Sequence, residues 1–157
     1  MADIEASLVG VIEGFYGRSW SVDTRLAYAD YLSEAGLNTC IYCPKEDPHL
    51  RRQWQSDWPQ PKWAELQKLS QTYRQRGIKW GVGLSPVELY RDYGALQREQ
   101  LRKKLARLGE LEAPLLAILF DDMPGDLDAL ASRQAEIVSD VCRWAPSARV
   151  LVCPTYY

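Results

Sequence analysis

The sequence is poor in histidine, in long apolar runs and in any surplus of one charge, and each shortage removes a class of function. Only His49 carries an imidazole, and it lies far in sequence from the paired acids at 121 and 122, so no histidine-rich metal centre is expected. No run approaches the ~18 apolar residues of a membrane helix, which argues against a membrane partner. Acids and bases are interspersed and the formal charge is −2, so no basic stripe awaits a nucleic acid. The opening "MADIEASLVG" carries acids where a signal peptide would carry a basic region, and a cytoplasmic address follows as the default. No low-complexity tract or linker interrupts the chain.

Cysteine is scarce as well, with residues at 40, 43, 142 and 153. Cys40 and Cys43 form a C-x-x-C, but within "LNTCIYCPK", a strand-like segment where positions three apart face opposite sides. No second C-x-x-C completes a tetrahedral set. Reduced, mostly buried thiols are expected, with no metal and no cofactor.

The chain has 157 residues, 46% of them hydrophobic, with six Trp and nine Tyr. That length suits one domain burying roughly 70% of its unfolded surface. The aromatic content serves a core, and it also suits the flat faces of sugar rings.

Short apolar runs alternate with longer helical patterns. Strands are expected at 7–14, 37–44, 78–86, 114–122 and 148–154. Helices are expected at 21–36, 61–77, 94–112 and 127–145. Ser21 is the first helix's N-cap and Gly36 its stop; Pro61 opens the second and Gly77 closes it. Leu96, Leu101, Leu105 and Leu108 approximate one face of the third. The alternation argues for parallel βαβ units and leaves two architectures open, a doubly wound sheet and a (β/α)8 barrel. In either, the C-terminal ends of the strands form the binding face. Glu13-Gly14, Lys45, Ser85, Asp121-Asp122 and Thr155 to Tyr157 fall just past the apolar runs and so share one rim.

Within "LLAILFDDMPGD" an apolar strand runs into two adjacent acids. Their Cα atoms lie ~3.8 Å apart, and where the strand ends both can turn toward one pocket. Such a pair is expected to titrate as a unit, one carboxyl protonated as a general acid and the other an anion. Acids near a helix start are favoured by its dipole, which accounts for Asp126 or Asp128 better than for the strand-end pair. A hard-cation site on Asp121, Asp122 and Asp126, serving a metal-dependent phosphohydrolase, is a rival. Gly14 permits close backbone approach to a ligand or simply makes a turn. Lys45 is an available donor, and His49 reads as a surface residue.

Taken in order, "GVIEGFYGRSW", "YCPKEDPHLRRQW", "LFDDMPGD" and "CPTYY" resemble glycoside hydrolase family 84, the β-N-acetylglucosaminidases that include protein O-GlcNAcases and some enzymes called hyaluronidases. The resemblance implies a (β/α)8 TIM-type barrel, of which residues 1–157 supply the first four βα units and a fifth strand. It implies a retaining reaction in which the substrate's 2-acetamido oxygen attacks the anomeric carbon and an oxazoline forms. Asp121 would hold and polarise the acetamido group, and Asp122 would protonate the leaving oxygen and later activate water. Lys45 and the backbone at Gly14 would hold sugar hydroxyls, and Tyr157 would help enclose the acetamido group. Glu46 stands where the family commonly has Asp, and Leu50 where His is frequent. The partner implied is a GlcNAc-bearing glycoprotein or oligosaccharide.

Three strands of such a barrel are absent. The chain alone is therefore expected to turn over weakly or not at all, and to associate through open strand edges or with the missing C-terminal half. A sugar-binding module without catalysis is the alternative reading.

Overall fold

The computed structural model describes residues 7–156. Strands and helices alternate through them: β1 (Gly10–Glu13), α1 (Val22–Glu34), β2 (Thr39–Tyr42), a 3-10 turn (Pro48–Leu50), α2 (Gln60–Gln75), β3 (Lys79–Leu84), α3 (Ala95–Gly109), β4 (Leu115–Leu119), α4 (Leu130–Trp144) and β5 (Arg149–Cys153). All five strands and four helices stand where the periodicity puts them, with the strands shorter than their apolar runs. The ladder of β2 ends at Tyr42, close to Pro44, which has no N–H to continue it.

The helix ends follow from their cap residues. Ser21 Oγ accepts from the Thr24 amide at 3.0 Å. Gly36 and Gly77 both take φ of 72°, a left-handed conformation that glycine adopts without a Cβ penalty. Each closes a Schellman motif: Gly36 N–H to Ser33 O and Leu37 N–H to Leu32 O, then Gly77 N–H to Arg74 O and Ile78 N–H to Tyr73 O. One expected face is corrected. Leu96 is exposed while Leu101, Leu105 and Leu108 are buried, because five residues carry Leu96 roughly 140° around the helix from Leu101.

The sheet is parallel throughout, in the order β1-β2-β3-β4-β5. A doubly wound sheet reverses its direction of winding at a switch point. No reversal occurs here, so right-handed crossovers carry every helix to the same side, and the arc is that of a partial (β/α)8 barrel.

The two faces have different cores. Toward the helices, Tyr42, Trp80, Val82, Leu84, Leu116 and Ile118 meet Leu66, Leu69, Tyr73, Leu101, Leu105, Ile137 and Val141. The inner face holds a smaller cluster of Ile41, Cys43, Leu115, Ala117 and Leu119. There β3 contributes Gly81 and Gly83; a Cβ on Gly83 would stand 2.5 Å from that of Cys43 and 3.1 Å from Leu119 Cδ1. The C-x-x-C accordingly straddles the sheet, with Cys40 in the outer core and Cys43 in the inner one. Both are buried free thiols, whereas Cys142 is exposed and Cys153 half-buried.

Glu13 does not join the rim. It shares the parity of Val11, faces α1 and is buried against Arg25, whose Nε and Nη2 donate to its two carboxylate oxygens at 2.9 and 2.6 Å. Arg25 also covers the Tyr42 ring at 4.9 Å, so the ion pair pins α1 to the first two strands. Glu13→Ala would strand a buried guanidinium and is expected to cost about 3–5 kcal/mol. Urea unfolding measures this, and the apolar double variant Glu13→Leu/Arg25→Met should recover most of the loss.

Candidate active site

The site forms where β4 stops. Phe120 is anchored by its N–H to Cys153 O at 2.8 Å, and its carbonyl accepts from Thr155 Oγ1 at 2.7 Å. The chain then turns, so Asp121 and Asp122 escape the strand's alternation and reach the same cation. Lys45 Nζ lies 3.7 Å from Asp121 Oδ2 and in direct contact with Asp122 Oδ2. The lysine side chain is only 6% exposed, against 31% and 30% for the two carboxylates. A cation sunk beneath two half-open acids leaves the acids facing outward to a ligand.

Asp122 Oδ2 takes two more donors, Tyr16 OH at 2.9 Å and Arg51 Nη1 at 3.1 Å. Lys45 and Arg51 both lie over the Tyr16 ring, at 5.8 and 5.9 Å. The Lys45 hydrogen bond, against an opposing effect of desolvation and helped by Tyr16 and Arg51, holds the Asp122 carboxyl below the usual carboxylate range. This corrects the expectation of a proton retained on the acid through the pair's mutual repulsion. A like charge raises a carboxyl pKa, but an adjacent cation can outweigh it, and here Lys45 sits within reach of both groups.

The loop between β2 and α2 is built around buried Asp47. Its Oδ1 accepts from the His49 amide at 3.0 Å, capping the 3-10 turn. Its Oδ2 accepts from Tyr42 OH at 2.8 Å and from Trp58 Nε1 at 2.9 Å. Leu50 O, at the end of the turn, accepts from Ser85 N at 2.8 Å. Asp47 thus fixes the segment that carries Lys45 on one side and Arg51 on the other. His49 is not the surface residue expected; it is half-buried with its ring 5.7 Å from that of Trp58.

The other expected positions divide. Gly14 is half-buried beside Cys43, and its amide donates to Ile12 O at 2.9 Å. A ligand hydroxyl would therefore meet its carbonyl rather than its N–H. Ser85 and Thr155 tie loops together instead of lining a pocket. Asp126 is bound by Arg91 at 2.8 Å, an engagement that takes it from the acid pair and removes the support for a three-carboxylate cation site. Tyr157 lies outside the described residues. Tyr16 and Arg51 are the contacts of Asp122 that sequence reasoning left without a role. Tyr16 stands two residues past Gly14 in the same motif, a signal within reach; Arg51 becomes a neighbour of Asp122 only through the 3-10 turn.

The parallel β/α arc defines a segment of a (β/α)8 barrel, with paired carboxyls and a sunken lysine at its C-terminal rim. Comparison with known proteins takes this further: the beta-N-acetylglucosaminidase family profile matches residues 9–157, and the chain belongs to that family, glycoside hydrolase family 84. It is 28% identical over 159 aligned residues to the protein O-GlcNAcases of Rattus norvegicus and Mus musculus, covering 96% of this chain and 17% of each relative. The solved structure of a variant of Thermobaculum terrenum O-GlcNAc hydrolase superposes with a TM-score of 0.87 at 27% identity, over 94% of this chain and 35% of that one. The chain thus spans well under half the length of these relatives. Among the described residues no helix is long and apolar enough to cross a membrane.

Removing the cations should release the hold on Asp122. Lys45→Met is expected to raise the midpoint of its carboxyl, and Arg51→Gln to raise it less, because the Lys45 hydrogen bond is the largest of the effects holding it down. Carboxyl carbon NMR against pH reads both shifts, with wild type as the reference.

Proposed function

We propose that this chain carries the reacting carboxyls of a retaining β-N-acetylglucosaminidase that removes terminal β-linked GlcNAc by substrate-assisted catalysis. The observation that carries the reading is the adjacency of Asp121 and Asp122 on one rim, both within reach of Lys45. A retaining enzyme with its own nucleophile sets two carboxyls on opposite sides of the sugar, about 5–5.5 Å apart. Two consecutive residues cannot flank a ring in that way. They can serve a substrate that brings its own nucleophile.

In the reaction proposed, the acetamido oxygen bonds to the anomeric carbon as the glycosidic bond breaks. Asp122 gives its proton to the departing oxygen, and Asp121 accepts the acetamido N–H and stabilises the charge of the oxazoline. Water then attacks the anomeric carbon, surrenders a proton to Asp122, and the ring reopens to the acetamide. For the first step Asp122 must be protonated. A sugar whose hydroxyls engage Lys45 and the Gly14 carbonyl, and which excludes water, would weaken the contacts holding Asp122 as an anion. Tyr157 is assigned to enclosing the acetamido group.

The relatives named O-GlcNAcases support a GlcNAc-bearing glycoprotein as the partner. Residues 1–157 are read as the N-terminal portion of a catalytic barrel, with weak turnover or none alone. The outer edges of β1 and β5, where Ile12 and Val152 are exposed, are read as surfaces for association. The free thiols accord with a reducing, cytoplasmic setting. A sugar-binding module without turnover is the second reading, favoured by one observation, the three donors that hold Asp122 ionised.

The test is leaving-group dependence in the longest natural chain containing these residues. Asp122→Ala is expected to lower kcat/KM about 10²–10⁴-fold for a glycoside with a poor leaving group and far less for an activated aryl GlcNAc. Equal, small effects on both would refute the acid assignment. Tight binding of an oxazoline mimic with no turnover of either substrate would favour the binding module.

A further inference from the structure

A cation buried well away from the acid pair bears on it. Lys104 lies in mid-α3 with 2% of its surface exposed. Its Nζ sits 3.7 Å from the centre of the Trp58 ring and donates to Ser56 O at 2.9 Å. One turn further on, Arg107 covers Trp63 at 3.8 Å, and the Trp58 and Trp63 rings are 5.8 Å apart. Two cations from one helix thus press on two indoles, the first in the loop after the 3-10 turn and the second in α2.

We propose that Lys104 is a positioning residue for the rim: its ammonium, seated on Trp58, holds the β2–α2 loop in the form that delivers Lys45 and Arg51 to Asp122. The chain of contacts is continuous. Trp58 donates to Asp47, Asp47 caps the Pro48–Leu50 turn, Lys45 precedes Asp47 by two residues, and Arg51 follows the turn directly. Nothing apolar would replace the lysine in both its contacts. A methionine would fill the space but leave the Ser56 carbonyl without its donor and the indole face without its charge. An ammonium taken out of water is costly to keep, and a well-solvated surface lysine would be the easier choice were packing all that mattered here.

The charge is also within reach of titration. Burial pushes the Lys104 ammonium down to about 8. The charged groups facing it are Asp57 and Asp47 from the loop, which oppose that fall, and Arg107 from its own helix, which adds to it. Below the midpoint the ammonium is present and the cation–π attraction is intact. Above it the neutral amine keeps the Ser56 hydrogen bond and loses its attraction to the ring. The loop should therefore loosen as pH rises through that value, well above the range in which Asp122, held low by its donors, takes up a proton.

NMR on the whole chain tests this without relying on the glycosidase reading. From about pH 6.5 to about 9.5, the Trp58 indole N–H and the Arg51 Cζ signals are expected to follow one curve with its midpoint at about 8. In Lys104→Arg both signals should stay flat at their low-pH positions, since arginine keeps its charge, and Asp122 should keep its depressed carboxyl midpoint. In Lys104→Met the Asp122 midpoint should rise. Flat Trp58 or Arg51 signals in the wild type would overturn the proposal, as would a cooperatively melting Lys104→Met with an unmoved Asp122. The wild-type series needs no variant and decides the matter even if Lys104→Met does not fold. Absence of sugar hydrolysis would defeat the proposed reaction and leave these titrations standing.

Discussion

The site depends on one ammonium shared by two carboxylates. Adjacent acids repel, and at a strand end they would splay apart or protonate unless a cation lay between them. Lys45 supplies it from the neighbouring loop, sunk below the acids so that their outer faces stay open. The interaction also sets the resting protonation. With Tyr16 and Arg51 added, Asp122 rests as an anion, and a glycosidase mechanism must raise its proton affinity when substrate arrives. In the proposed reaction that charge is released on binding, a different device from a proton stored permanently by repulsion.

The scaffold's task is to keep that lysine in place. The strands are short and their ends are loops, so positional accuracy comes from buried polar contacts rather than from the ladder alone. Glu13 and Arg25 lock the first crossover helix to β1. Asp47 gathers an amide, a phenol and an indole around one carboxylate, and Phe120 and Thr155 clasp the ends of β4 and β5. Each is a buried polar group with its partners supplied, the arrangement that makes such groups stabilising rather than costly. The glycines of β3 do the complementary work on the inner face, leaving room for Cys43 and Leu119 to fill the arc.

Much of this was legible. Periodicity located every strand and helix, and the ends of α1 and the close of α2 were legible because Ser21, Gly36 and Gly77 act through neighbours a few residues away. The ordered motifs pointed to the family and to the acid pair, and the parity of the C-x-x-C separated its thiols correctly. Two of the failures come from partners placed by the fold, and one from the helix's own geometry. Glu13 was assigned to the rim because it ends an apolar run, yet facing is decided by parity and by Arg25 twelve residues later. His49 looked solvated because its neighbour Trp58 is brought back by a loop. Leu96 was counted into a face by composition when the helical angle puts it outside.

Alternation in sequence determined that the strands are parallel and that their C-terminal ends form the working rim, because a right-handed crossover permits little else. It also determined that two carboxyls stand side by side there, because they are joined by a single peptide bond. The choice of barrel over open sheet belonged to the tertiary structure, since both architectures obey the same local pattern and differ only in winding order. The charge state of Asp122 was decided at the same level. It rests on Tyr16, Lys45 and Arg51, which are 106, 77 and 71 residues distant along the chain, and electrostatic energy depends on distance in space.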